Sequence, residues 1–135
     1  MDANQKTCAR TCLDGADNGL MDFPQILAAL TAAGFEGYAV DYRLERATYC
    51  LPSGEGLDLA MHPTPTPVSA AFDAAALQAA IREAQTGAPG YSYRGFCAKA
   101  KAAGCAGYLV SLLGRRVVYV GRTGETHVEL FPPAA

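Results

Sequence analysis

The chain has 135 residues, of which 50% are hydrophobic and 18% charged, and its formal net charge is −2. This composition is typical of a globular domain with one hydrophobic core and excludes a disordered chain. Lysines and arginines are scattered, which disfavours nucleic acid and anionic lipid as partners. No apolar run approaches the ~20 residues of a membrane span, and the first residues lack the apolar core of a secretion signal. We therefore expect a cytoplasmic protein with no membrane partner.

The five cysteines are an odd number, which suits reduced thiols better than a disulfide framework. Cys8 and Cys12 are four residues apart, but no CxxC pair exists and no nearby histidine completes a zinc site. We predict no metal, no cofactor and no disulfide, with Cys97 and Cys105 buried.

Two helices are predicted at the start of the chain. The first covers residues 3–13 and ends at Gly15. The second begins after Asp22, an N-cap residue with Gln25 three positions later, which is the spacing of a capping box. Apolar residues then follow at helical spacing until Gly34, which is typical of the left-handed residue that ends a helix.

Three strands and a connector follow. Alternating apolar residues predict a hairpin with strands around 38–43 and 45–51, and a third strand runs through Leu57. Residues 62–68 contain three prolines and predict a stiff, extended connector rather than another domain. Within it, we expect His62 to be exposed and without a role.

The second half of the chain repeats this order. Asp73 is the N-cap of a predicted helix over 74–85, and Ser92 is the N-cap of the next helix over 92–103. Strands are then predicted around 108–113 and 115–121, followed by a last strand.

An internal repeat with an offset of 70 residues explains this symmetry. When residues 23–60 are aligned with residues 93–130, eleven positions are identical, whereas chance would give about three. The shared core is AAG followed by GY, seen at Gly34 and Gly104. The pattern predicts two pseudo-repeats, about 1–61 and 73–131, which we expect to superpose.

In the last strand of each repeat, the apolar and polar positions do not match at the offset of 70 residues. At an offset of 70, Leu57 corresponds to His127, so the apolar faces disagree. An offset of 71 pairs Leu57 with Val128, which predicts one extra residue in the second turn. Val128 and Leu130 would then face the core, with His127 and Glu129 on the opposite face.

The predicted fold is α+β. It is an internal duplication of a helix–helix–strand–strand–strand unit, with a mostly antiparallel sheet and helices packed on one side. We predict one domain spanning residues 1–135. The sequence leaves open whether the two repeats share one continuous sheet.

The catalytic candidates are His127, Glu129 and Arg122. An imidazole beside a carboxylate can act as a general base, with the arginine entering from the adjacent turn. No serine or cysteine nucleophile lies beside them in sequence. The alternative is the polar outer face of a terminal strand with a cross-strand charge pair.

The binding candidates are Arg46, Arg116 and Glu125. The two arginines occupy corresponding positions after the hairpin turns and could form a pseudo-symmetric anion site. The alternative is ordinary charge beside a turn.

The ending GRTGETHVE-x-FP, with the stretch from Phe23 to Tyr49, resembles the YdfO/YbcV-like family of small bacterial and prophage proteins. The resemblance covers nearly the whole chain and implies a compact, duplicated α+β fold. This family has no established function, and some members are labelled phage envelope protein, so the resemblance implies no catalytic residues.

Three functions are consistent with the sequence. The leading one is a non-enzymatic binding or interaction module, phage-related, whose partner is another protein, a small molecule or a second copy of the chain. The second is a small hydrolase-like enzyme that uses His127 and Glu129. The third is a regulator of a host protein.

Overall fold

The computed structural model describes residues 1–132. Its helices are α1 (Ala3–Asp17), α2 (Phe23–Ala33), α3 (Ala74–Thr86) and α4 (Tyr93–Ala102). Its strands are β1 (Gly37–Asp41), β2 (Arg46–Cys50), β3 (Gly56–Ala60), β4 (Cys105–Ser111), β5 (Arg116–Gly121) and β6 (Thr126–Leu130).

All six strands form one sheet in the order β3-β2-β1-β4-β5-β6, and every neighbouring pair is antiparallel. The four helices pack on one face of this sheet, which confirms the predicted α+β class. The question that the sequence left open is also answered, because β1 and β4 join the two halves of the chain into a continuous sheet.

Helix starts follow the predicted caps. Asp22 and Gln25 form the capping box of α2, and the side chains of Asp73 and Ser92 accept backbone hydrogen bonds at the starts of α3 and α4. The predicted end of α1 at Gly15 is wrong, because this glycine lies inside the helix. A Cβ there would approach Met21 to 2.7 Å, so Gly15 serves close packing rather than termination.

The pairing of β1 with β4, which we call the junction, is centred on two residues that are 70 positions apart in the sequence. Ala39 pairs with Leu109, the residue 70 positions later. At one end of the junction a Cβ on Gly37 would lie 2.4 Å from the Val110 carbonyl oxygen, and at the other a Cβ on Gly107 would lie 2.3 Å from the Val40 oxygen. Glycine is therefore required at both ends for the two strands to approach.

The core between sheet and helices contains a layer of tyrosines. Tyr38 stacks on Tyr49 with ring centroids 5.1 Å apart, and Tyr108 lies 5.5 Å from Tyr119. These four rings are buried, in keeping with the preference of aromatic residues for pleated surfaces. Cys97 and Cys105 are also buried, which confirms the sequence prediction, and all five cysteines are free thiols.

A buried charge ties the connector to the core. The Lys101 ammonium is 2% exposed, donates to the Glu45 carboxylate and makes a 2.8 Å hydrogen bond to the Thr64 hydroxyl. Two partners compensate its loss of water, and the segment after β3 is thereby held against α4.

The predicted extra residue in the second turn is wrong. Tyr49 pairs with Leu57 in the first half, and Tyr119 pairs with His127 in the second, so the offset stays at 70 through the last strand. Both turns make the same hydrogen bonds and contain a glycine with positive φ, at Gly54 and Gly124. Backbone pairing, not side-chain polarity, decides the register of β6.

No helix within residues 1–132 is long and apolar enough to cross a membrane.

We predict that Gly107→Ala lowers the free energy of unfolding by about 1–3 kcal/mol, because the new methyl group would force β1 and β4 apart. Urea unfolding monitored by circular dichroism measures this effect. Gly56→Ala is the matched control, because a Cβ there meets only ordinary contacts, the nearest at 3.7 Å. Similar stability of the two variants would contradict a tight junction.

Candidate binding face

The face of the sheet opposite the helices is uncovered by any part of residues 1–132. We call it the open face. Its middle is a continuous row of residues that pair across all six strands. In sheet order these residues are Asp58, Thr48, Ala39, Leu109, Val118 and Val128.

The two halves of the open face differ in chemistry. The second half carries five large aliphatic residues, which we call the aliphatic patch: Leu109, Val118, Val120, Val128 and Leu130. The corresponding residues of the first half, 70 positions earlier, are small or polar: Ala39, Thr48, Cys50, Asp58 and Ala60. Four members of the patch are 37–62% exposed to solvent. An exposed face of an antiparallel sheet ordinarily carries polar residues, as the first half does.

A shallow trough of about 480 Å³ lies beside the patch. Small residues line its middle, where Ala39 and Gly107 leave β1 and β4 nearly bare. Leu109 stands on one side, and Arg46 and Asp58 stand on the other. The trough is therefore apolar toward β5 and charged toward β3, and it is a shallow surface groove rather than an enclosed pocket.

The arginine candidates are far apart on this face. Arg46 pairs with Asp41, at one end of β1, and its guanidinium lies 3.9 Å from the Asp58 carboxylate. Arg116 pairs with Ser111, at the other end of the junction, and donates to the Gly114 carbonyl at 3.2 Å. The structure does not bring the two arginines together.

Arg122 and Glu125 lie in the turn between β5 and β6. The Arg122 guanidinium donates to the Val68 carbonyl at 2.9 Å, which ties this turn to the connector. Glu125 is exposed, and its carbonyl accepts the hydrogen bond from Gly121 that closes the turn. In this arrangement both residues support the turn.

His127 and Glu129 face the helices. The His127 Nε2 lies 3.4 Å from Glu129 Oε2, both side chains are 19% exposed, and Gln78 of α3 approaches the same carboxylate at 3.5 Å. The prediction that these residues point away from the core, with Val128 and Leu130 toward it, is therefore wrong. Strand β6 has its polar side against the helices and its apolar side on the open face.

The His127 Nε2 atom is buried and has no hydrogen-bond partner among residues 1–132. Its ring centroid lies 6.3 Å from that of Tyr119, and burial raises the pKa of this tyrosine far above its usual value. An imidazole beside a carboxylate has the parts of a general base, but His127 lines neither the trough nor the small cleft formed by Leu13, Asp17, His62 and Cys97.

His62 has a partner that sequence reasoning missed. Its Nε2 lies 3.5 Å from the Asp17 carboxylate, which also accepts hydrogen bonds of 3.0 and 2.8 Å from Arg94. These hydrogen bonds lower the pKa of Asp17 below its usual 3.8. No sequence signal links these residues, because α1, the connector and α4 meet only in the fold.

Cys97 lines the same cleft as His62 and Asp17, a combination that resembles a thiol active site. The cleft has about 10 Å³ of space, room for roughly one water molecule. Burial raises the pKa of Cys97 to about 11, so its thiol stays protonated at neutral pH and is a poor nucleophile. We therefore interpret the contacts of Cys97, His62 and Asp17 as structural rather than catalytic.

These features define a two-layer α+β protein in which one sheet face is packed and the other is open and half aliphatic. The chain belongs to the family described as protein of unknown function DUF1398, whose model matches residues 14–129. This match includes the whole sheet except the last residue of β6. No curated protein matches the chain.

We predict that Val128→Asp changes the free energy of unfolding by no more than about 0.5 kcal/mol, because Val128 is 46% exposed and the corresponding residue is Asp58. Val110→Asp should cost several times more, since Val110 is fully buried. Thermal unfolding of dilute protein compares the two variants. Equal losses would mean that β6 turns Val128 toward the helices.

Acid should weaken the Asp17 contacts. The hydrogen bonds with Arg94 lower the pKa of Asp17 in the folded state. The ionised carboxylate therefore stabilises the fold fully above the pKa of the unfolded state, and this stabilisation is lost as the pH falls through the pKa of the folded state. We expect stability to fall more steeply below about pH 4 in the native protein than in Asp17→Asn. Urea unfolding between neutral and acidic pH measures this, and parallel curves would contradict it.

Proposed function

We propose that the protein is a non-enzymatic interaction module that binds a protein partner through its open face. One observation carries this proposal: the second half of the face has five large aliphatic residues where the first half has small or polar ones. Both halves share the same strand register, so the fold itself does not demand aliphatic residues there. Their exposure costs free energy in water, and a bound partner would recover it.

The reversed polarity of β6 supports the same proposal. Leu57 and Leu59 of β3 face the helices, whereas His127 and Glu129 occupy those positions in β6. Val128 and Leu130 take the outer side instead. A strand buries its apolar side where the environment is apolar, so this pattern favours an open face that is covered when the protein works.

We also propose the domain organisation, the cellular location and the kind of partner that the sequence indicates. The chain is one domain made of two pseudo-repeats, about 1–61 and 73–131, joined by the connector 62–68. It acts in the cytoplasm, which its five free thiols favour. Its resemblance to prophage proteins favours a phage or host protein as partner, and regulation of a host protein is one form that this role can take.

The hydrolase alternative receives less support. His127 and Glu129 lie together, but the two clefts described above are lined by other residues. General base catalysis needs a substrate within hydrogen-bond reach of the imidazole.

A photo-crosslinking residue at position 128 tests the proposal in cells that produce the full chain. We expect one adduct of discrete mass, identified by mass spectrometry. The adduct should weaken when Val118 is replaced by threonine, the residue at corresponding position 48. The control places the same crosslinker at Leu20, which is 77% exposed and lies between α1 and α2.

A discrete adduct at position 128 and none at position 20 would support a docking face. Equal labelling at both positions, or no adduct at position 128, would overturn the proposal.

A further inference from the structure

We propose that a second copy of this chain covers the open face, with the aliphatic patch of each copy seated in the trough of the other. This inference rests on the proposed function and names the partner. It follows from three properties of the open face, namely its shape, its charge and its area.

The shape of the open face fits a flat, twisted partner. β-Branched valines on a pleated surface pack well against another sheet, and two sheets stack about 10 Å apart with similar strand directions. A second copy necessarily has the same twist. Large residues on β4, β5 and β6 would then need small residues opposite them, because packed layers alternate large and small side chains.

The first half of the same face provides small residues opposite three of the five patch residues. A twofold axis parallel to the strands, between β1 and β4, places β4 over β1, β5 over β2 and β6 over β3 of the second copy. Leu109 then lies over Ala39, Val118 over Thr48, and Leu130 over Gly56 of the second copy. The same axis places Val120 over Arg46 and Val128 over Asp58, at the charged margin of the trough. The patch fills the trough twice, once in each direction, as a closed twofold interface requires.

The charges on the open face permit self-association. The charged residues in its strands are Asp41 and Asp58, which are acidic, and Arg46 and Arg116, which are basic. These four charges cancel, Arg43 in the turn between β1 and β2 adds one positive charge at the trough, and the patch itself has no charge. Asp58 lies on the edge strand β3, where an interface has its polar rim. Two copies therefore meet with little net repulsion, whereas a strongly charged partner gains little here.

The area of the open face determines how strongly two copies are expected to associate. Six strands about 4.8 Å apart, each with five residues rising about 3.3 Å, give roughly 500 Å² per copy. Two copies bury about 1,000 Å², near the lower limit of specific interfaces, so the dimer should be weak. We expect a dissociation constant of the order of micromolar to hundreds of micromolar.

Sedimentation equilibrium of the purified full chain tests the dimer. From about 1 µM to about 1 mM, the average mass should rise from 14.1 kDa toward twice that value. Val128→Asp and Val118→Asp should weaken the association at least about tenfold. Leu20→Asp, the same kind of change at an exposed leucine on the helix side, should leave it unchanged.

A cross-linking experiment tests the arrangement. In a Cys50→Ser background, Val118→Cys and Thr48→Cys proteins are prepared separately and then mixed with a short bismaleimide. We expect a covalent dimer in the mixture that neither protein gives alone. A strong Val118→Cys self-link would overturn the seating of patch in trough.

A chain that stays monomeric at about 1 mM would overturn the second copy as partner. The proposed function would still stand if the crosslinker at position 128 captured another protein. Loss of dimerisation in Leu20→Asp but not in Val128→Asp would show that the copies meet through the helix side, which contradicts this inference.

Discussion

The pairing of β1 with β4 is the constraint on which the rest of the structure depends. It joins two groups of three strands into one sheet, and it requires Gly37 and Gly107 because any Cβ would meet a carbonyl oxygen of the facing strand. Because Ala39 pairs with the residue 70 positions later, the two halves are placed symmetrically about this junction. The helices share one face, and the open face extends without a break across both halves.

The consequence for function is a difference between two halves that share strand order and register. On the helix side, the second half has His127 and Glu129 where the first half has leucines. On the open side, it has aliphatic residues where the first half has small or polar ones. The reversal is concentrated in β6, an edge strand, where half-buried polar groups cost less than at the centre of the sheet. The chain thereby has an apolar outer surface at the expense of apolar contacts under α3.

The sequence predicted some contacts of the candidate site residues and missed others, because only contacts within one element follow from local spacing. His127 and Glu129 were expected together and are together, because residues two apart on a strand share a face. Arg46 and Arg116 were expected to form a site on the strength of corresponding positions, but symmetry about the junction places them at opposite ends of the sheet. The contact of His62 with Asp17 joins segments 45 residues apart and has no local pattern.

The sequence by itself determined the presence and order of the helices, the caps of α2, α3 and α4, the hairpins and the α+β class, because these depend on local propensity and periodicity. Tertiary structure alone decided that the halves form one sheet and which side of β6 faces the helices. A pattern with period two shows that a strand has an apolar side, but not which layer that side meets. Backbone pairing with β5 settled this, and it turned Val128 and Leu130 outward to complete the aliphatic patch.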